Sequence, residues 1–152
     1  MDQSANTLAC REYGQDCRDT DAPWVLGKLQ TSVGNVTRVS TDYTLTDRIG
    51  SWRVRWAIGR ARYSVPPGVY AVGRPSSESP VLVTANYKKS FDCLRRELTG
   101  RNVWVVVLDT KGINVWCAAG KGTFGTQELV ERLAEYDVDS LVSHRTVILP
   151  QL

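Results

Sequence analysis

Val103-Trp104-Val105-Val106-Val107-Leu108 is apolar at every position. A strand that touched water on one face would alternate polar and apolar residues. An unbroken run suits a strand covered on both faces, as in a central parallel sheet with helices on either side. That single stretch limits the chain to a layered α/β arrangement, and its neighbours must supply the covering layers.

They do so in order. Val81-Leu82-Val83-Thr84 reads as a short strand. Tyr87, Phe91, Leu94 and Leu98 follow at spacings that place them on one helix face, and Gly100 sits where such a helix stops. After the central strand, Leu129, Leu133 and Tyr136 make a second helical stripe. Thr146-Val147-Ile148-Leu149 reads as a last strand before Pro150. Strand, helix, strand, helix, strand from 81 to 149 is an α/β signature, and right-handed crossovers make such a sheet parallel. Upstream, Val36 to Leu45 has strand-like density, and Trp52-Arg53-Val54-Arg55-Trp56-Ala57-Ile58 alternates apolar and basic residues with period two. Pro66-Pro67-Gly68 is a turn, Val69 to Val72 another short strand, and Arg74 to Pro80 a loop. Residues 1 to about 30 are polar and poorly periodic, so they are expected to form a loosely ordered leader, with the folded domain over 31–152.

Composition narrows the function. The chain has 152 residues, enough for one domain with a real core. Its 19 basic and 16 acidic residues leave a formal charge of +3. A nucleic-acid interface wants a denser basic stripe, and the groups at Arg53, Arg55, Arg60, Arg62 and at Lys88, Lys89, Arg95, Arg96 read as solvated faces. The N-terminus lacks a basic start and an apolar core, so no signal peptide is expected. No apolar run approaches the roughly 20 residues that span a bilayer. The four cysteines, at 10, 17, 93 and 117, form no C-x-x-C pair, which removes the usual zinc spacings. Cys10 and Cys17 read as incidental thiols in a reducing compartment.

Ligands on open α/β sheets sit at the carboxyl ends of the strands. Thr84-Ala85-Asn86 and everything after Leu108 fall there. Asp109 to Gly125 far exceeds the roughly 2 to 6 residues of a simple βα loop. It contains an apolar, helix-friendly piece, Val115 to Ala119, flanked by Gly112 on one side and by Gly120, Gly122 and Gly125 on the other. Asn114 is a good N-cap. A short inserted cap helix over the ligand edge is expected, with Cys117 in its first turn. Unpaired amides and the helix dipole favour a thiolate there, and a thiolate is a nucleophile or a soft metal ligand. A buried structural cysteine is the plain alternative.

Other chemistries remain beside it. Gly120-Lys121-Gly122-Thr123-Phe124-Gly125 matches G-x-G-x-x-G and opens a helix, with Asp139 roughly 20 residues on, but a dinucleotide fingerprint should follow its strand directly. The P-loop pattern fails at Val115 and Gly122. Cys117 with His144, the single histidine, could form a hydrolytic pair, although His144 precedes the last strand and should lie at the opposite end of the sheet.

Asn114-Val115-Trp116-Cys117-Ala118-Ala119-Gly120-Lys121 resembles the cap-helix signature of the HgcA family, the corrinoid proteins of microbial mercury methylation. Val81 to Lys88, Asp109 to Ile113, Gly122 to Thr126 and His144 to Leu152 agree with it, and the likeness runs from about Ser40 to the end. The corrinoid iron–sulfur protein of acetyl-CoA synthesis belongs to the same fold family. The resemblance implies a Rossmann-like domain, a mainly parallel sheet with flanking helices and an inserted cap helix, holding corrinoid (cobalamin) base-off. It implies Cys117 as lower axial ligand to cobalt and as the catalytic residue. It further implies that Asn114 fixes the helix, and that Val115, Trp116, Ala118 and Ala119 form the corrin's floor. Thr84, Ala85, Asn86 and the loop Gly120, Lys121, Gly122, Thr123, Gly125 would line the pocket for the nucleotide tail. The implied reaction is methyl transfer to Hg(II), served by a ferredoxin-like iron–sulfur protein of the HgcB type as electron donor. The family's membrane domain is not in this chain, so an isolated soluble domain is expected here, and the full-length protein at the cytoplasmic side of the membrane. A corrinoid methyl carrier of acetyl-CoA metabolism and a dinucleotide-binding module are the alternatives.

Overall fold

The computed structural model describes residues 22–45, 49, 64–112 and 125–149. The expected strand over Trp52 to Ile58, the cap helix over Asn114 to Lys121 and the leader up to residue 21 lie outside these residues.

Among the described residues, one sheet of six strands carries the fold. Strands β1 (Val25–Thr31) and β2 (Gly34–Val39) form an antiparallel hairpin. β3 (Gly68–Val72) and β4 (Val81–Ala85) follow, then helix α1 (Lys88–Glu97) and β5 (Val103–Leu108). Helix α2 (Thr126–Glu135), a 3-10 turn (Val138–Ser140) and a short β6 (Val147–Ile148) complete the order. The strands lie side by side as β1-β2-β3-β5-β4-β6.

The α/β expectation holds, with a sheet more mixed than parallel crossovers alone would make. β4 pairs parallel with β5 on one side and β6 on the other, and β2 pairs parallel with β3. β3 runs antiparallel to β5, from Gly68 opposite Val107 to Val72 opposite Val103. The parallel half is the part that the strand–helix alternation marked. The upstream half has no helix period to dictate direction.

The leader boundary moves toward the N-terminus. Val25–Thr31, read as part of a loosely packed leader, pairs with β2, and Trp24 is buried. Polar residues are tolerated on β1 because most of its positions are exposed. That solvation hid its strand character from a reading based on apolar periodicity.

β5 is buried at all six positions, as its sequence requires. Val103, Val105 and Val107 join the core with Phe91 and Leu94 of α1 and Leu98 at its C-cap. Trp104, Val106 and Leu108 join the core with Tyr136, Val138 and Leu141, where Leu129 and Leu133 of α2 pack. The two helices therefore cover opposite faces. On the α1 face, Trp24, Tyr70 and Phe91 meet ring to ring, with centroids 5.3 to 6.0 Å apart. The Tyr70 hydroxyl donates to the Pro66 carbonyl at 2.8 Å, so its polar end is satisfied.

Two basic residues read as solvated are not. Lys88 and Arg95 are buried, 9% and 1% exposed, and both bond the carboxylate of buried Asp92 on the same helix face. Arg95 also donates to the carbonyls of Ser40 and Asp42. The cluster ties α1 to the chain leaving the hairpin. Spacings of four and three bring all three side chains to one stripe, a pattern that composition alone does not register.

Phe91→Ala is expected to lower the unfolding free energy by about 3–5 kcal/mol, the usual cost of emptying a packed aromatic site. Val130→Ala, on an α2 position 56% exposed, should stay within about 0.5 kcal/mol. Urea denaturation of both variants checks the contrast.

Candidate ligand crevice at the carboxyl edge of β4 and β5

Chain direction creates the site. β4 leads into α1 on one face of the sheet, while the chain leaving the neighbouring parallel β5 leads to α2 on the other. Connections that part to opposite faces leave a crevice between the two carboxyl ends, the topological switch point where open α/β sheets take ligands. Ala85 and Leu108 are register partners at that edge.

Asn86 organises it. Its Nδ2 donates to Asp109 Oδ1 at 3.1 Å. Its Oδ1 accepts from Thr110 N at 3.1 Å, Thr110 Oγ1 at 2.9 Å and Gly112 N at 2.9 Å. Its backbone is also engaged, through Leu108 O and Val65 N. The buried side chain thus grips the segment that leaves β5. That segment turns sharply: Lys111 and Gly112 both have positive φ, 57° and 69°. A side chain at Gly112 would meet nothing closer than Ser64 Cβ at 3.9 Å. Its glycine is needed for conformation rather than for space.

Asp109 completes the clamp. Partial burial pushes its carboxyl upward, but hydrogen bonds from Lys111 Nζ, Lys111 N and Asn86, with the Lys111 charge, together hold it below the usual aspartate value. A depressed carboxylate stabilises the fold above its unfolded pKa and loses that contribution as pH falls through the folded value.

Sequence reasoning placed Thr84, Ala85 and Asn86 at this edge as pocket lining. The structure puts all three there and buries them, 1%, 0% and 6% exposed. They form the foundation beneath the crevice, and the polar atoms of Asn86 are committed to the loop. Thr84 keeps a buried hydroxyl with no hydrogen-bond partner among the described residues. Gly125 stands at the N-cap of α2 with open space where a side chain would extend. Asn114, Val115, Trp116, Cys117, Ala118, Ala119, Gly120, Lys121, Gly122 and Thr123 lie outside the described residues, which reach Gly112 and resume at Gly125. The clamp through Asp109, Thr110 and Gly112 was not anticipated. Its only sequence signal was an Asn just past one strand and Asp-Thr just past the next.

His144 sits at the opposite end of the sheet. Its Nε2 lies 3.0 Å from the carbonyl of Ser79, before β4 begins, and its Nδ1 accepts from Thr146 N. Among the described residues, no cluster of His, Cys, Asp and Glu could hold a metal ion, and no helix is long and apolar enough to cross a membrane.

Fold and edge together define an α/β domain with helices on both faces of its sheet and a candidate ligand crevice at its switch point. The family model for the CO dehydrogenase/acetyl-CoA synthase delta subunit, CdhD, matches residues 57–152, and the chain belongs to that family. Curated relatives carry the name acetyl-CoA decarbonylase/synthase complex subunit gamma. Those of Methanopyrus kandleri and Methanocaldococcus jannaschii are each 33% identical, over 93 and 95 residues, or 60% and 61% of this chain and 20% of the relative. That of Methanosarcina acetivorans is 31% identical over 97 residues, 61% of this chain and 21% of the relative. The chain spans about a fifth of the length of these relatives. The matches uphold the acetyl-CoA side of the resemblance and give its mercury side no support.

Asn86→Ala should speed hydrogen exchange at the amides of Thr110 and Gly112 and lower stability by about 1–3 kcal/mol, the cost of stranding buried donors. Exchange followed residue by residue by NMR tests it. In the wild type, protection of the Lys111 amide should survive through mildly acidic pH. It should fade only as pH drops below about 3.9, the ordinary aspartate value. Protection unchanged in Asp109→Asn at every pH would show that the carboxylate charge contributes nothing to the clamp.

Proposed function

We propose that this chain is a corrinoid-binding domain serving methyl transfer, with the cofactor seated over the carboxyl edge of β4 and β5. The observation that carries the reading is the clamped segment Asp109–Gly112. Asn86 holds it at the switch-point crevice, and it leads within two residues to the Asn114-Val115-Trp116-Cys117 motif. The buried hydroxyl of Thr84, unpartnered among the described residues, lies at this edge, and open space stands where a side chain at Gly125 would extend.

When bound, the corrinoid supplies a cobalt centre that accepts and gives up a methyl group. The protein's residues hold and tune it. Cys117 would offer a soft thiolate to hold the cobalt. Asn114 would cap the turn that carries Cys117. Val115, Trp116, Ala118 and Ala119 would provide a low apolar floor, and the loop Gly120, Lys121, Gly122, Thr123, Gly125 would let backbone approach the nucleotide tail. Thr84, Ala85 and Asn86 support this assembly from below.

Two acceptors follow from two observations. The names of the relatives support a methyl carrier of acetyl-CoA metabolism acting within a larger complex. The Asn114–Lys121 motif with Cys117 supports Hg(II) as substrate, because Cys117 would offer the cobalt an electron-rich donor and Hg(II) is a soft electrophile. In the mercury reading a ferredoxin-like iron–sulfur protein brings electrons, since the four cysteines here lack the spacing of a cluster site.

Reconstitution with cobalamin is the deciding experiment. Wild-type chain should give a coloured complex whose visible spectrum carries a thiolate-to-cobalt feature. Cys117→Ala should retain the fold by circular dichroism and lose that feature. No complex at all would overturn the corrinoid reading, and binding of a nicotinamide cofactor instead would favour the dinucleotide alternative. An unchanged spectrum in Cys117→Ala would remove the axial assignment. Offering the methylated complex Hg(II) or a nickel-site acceptor then separates the two acceptors.

A further inference from the structure

At the end of the sheet opposite the crevice, β2 and β3 finish and β5 begins, with Val72 opposite Val103. A cavity of about 330 Å³ opens there, lined among others by Arg38, Ser40, Thr41, Asp42, Arg101 and Asn102. Its wall is a close approach. Gly73, at φ +70°, packs so tightly that a Cβ would lie 2.3 Å from Asn102 Oδ1 and 2.6 Å from the Arg101 carbonyl. Asn102 Oδ1 accepts from Arg74 N at 2.8 Å, which leaves the amide nitrogen of Asn102 as a donor.

The arginines sort themselves by place. Among the described residues, Arg95, Arg96, Arg132 and Arg145 pair with carboxylates. Arg38, Arg74 and Arg101 form no ion pair among those residues, and all three gather at this end: two line the cavity and Arg74 follows its Gly73 wall. The Nε of Arg38, on β2 opposite Ala71, is buried without a hydrogen-bond partner among the described residues. A buried donor left unpaired is costly, so native chains supply it with an acceptor. The one acid in the lining is exposed Asp42, whose carboxylate already accepts from Ser40 Oγ at 3.1 Å. Two lining guanidiniums, Arg38 and Arg101, against the one carboxylate of Asp42 leave the site positive.

We propose that this cavity binds a phosphate group, with Arg38 and Arg101 as its principal contacts and Thr41 and Asn102 as further donors. The guanidinium fork matches the oxygens of phosphate in pairs, which a lysine cannot do. The volume admits a phosphate with a small organic portion, so a phosphate monoester and the free ion share the chemistry. The site stands apart from the corrinoid reading, since it uses none of the residues at the carboxyl edge.

Calorimetric titration of the full chain with inorganic phosphate, glucose 6-phosphate and acetate tests it. Either phosphate should bind saturably, the ester at least as well as the free ion if the cavity accepts an organic portion, and acetate should not compete. Arg101→Gln, at an exposed position, should keep the wild-type melting temperature and weaken binding roughly tenfold or more. Arg38→Gln should weaken it similarly, and Asp42→Asn should leave binding equal or tighter by removing a like charge. Equal binding in wild type and Arg101→Gln would mean an adventitious ion only. Acetate binding as well as phosphate, no saturable binding of either phosphate, or weaker binding in Asp42→Asn would equally overturn the assignment. Cys117→Ala should bind phosphate as the wild type does, which separates this outcome from that of the cobalamin experiment.

Discussion

The two-sided burial of β5 is the constraint on which the rest of the structure depends. A strand with no solvent face must have a layer on each side. Here α1 covers one face and α2 the other. The chain can reach both faces only if the connections leaving β4 and β5 part in opposite directions. The crevice at their carboxyl ends is therefore a consequence of burying Val103 to Leu108, and no separate device is needed to open it.

A crevice without polar control would be a poor place to hold a cofactor. Asn86 supplies the control from β4 by gripping the chain that leaves β5. One side chain serves the Asp109 carboxylate, the Thr110 hydroxyl and the amides of Thr110 and Gly112 together, and those two amides would otherwise stand unpaired at a buried edge. The approach to residues 113–124 is thereby set by hydrogen bonds rather than by packing. On the far side of α1, the Lys88–Asp92–Arg95 cluster does similar work, coupling the helix to the N-terminal hairpin through the carbonyls of Ser40 and Asp42. Buried charges of this kind are costly to break once formed and add little over a well-packed apolar contact. Their value lies in fixing how the hairpin meets the helix.

Much of the parallel half is legible in the order of its residues. β4, α1, β5 and α2 stand where their apolar periodicities put them, because burial against a sheet is what writes those periods into a sequence. β6 is shorter than its apolar run, only Val147–Ile148, since an edge strand with one neighbour needs less apolar length. The hairpin is less legible. β1 is mostly solvent-exposed and carries no strict alternation, so its pairing with β2 leaves little trace. Lys88 and Arg95 mislead for a related reason: composition counts charges without locating the carboxylate that makes their burial tolerable.

For the candidate site the division falls between chemistry and geometry. The sequence by itself determined that Cys117 stands in a long, glycine-flanked stretch after a strand that is apolar at every position. It also determined, through the residues over 57–152, membership of the CO dehydrogenase/acetyl-CoA synthase delta subunit family. Only the tertiary structure decided that Asn86 clamps the turn Asp109–Gly112. The tertiary structure, too, brought Arg38, Arg74 and Arg101 from separate strands and loops to one end of the sheet. The reason is physical. Burial repeats with the helix and strand periods and so leaves a local pattern. A hydrogen bond or a charge cluster between residues distant in sequence depends on strand order and direction, which no local pattern encodes.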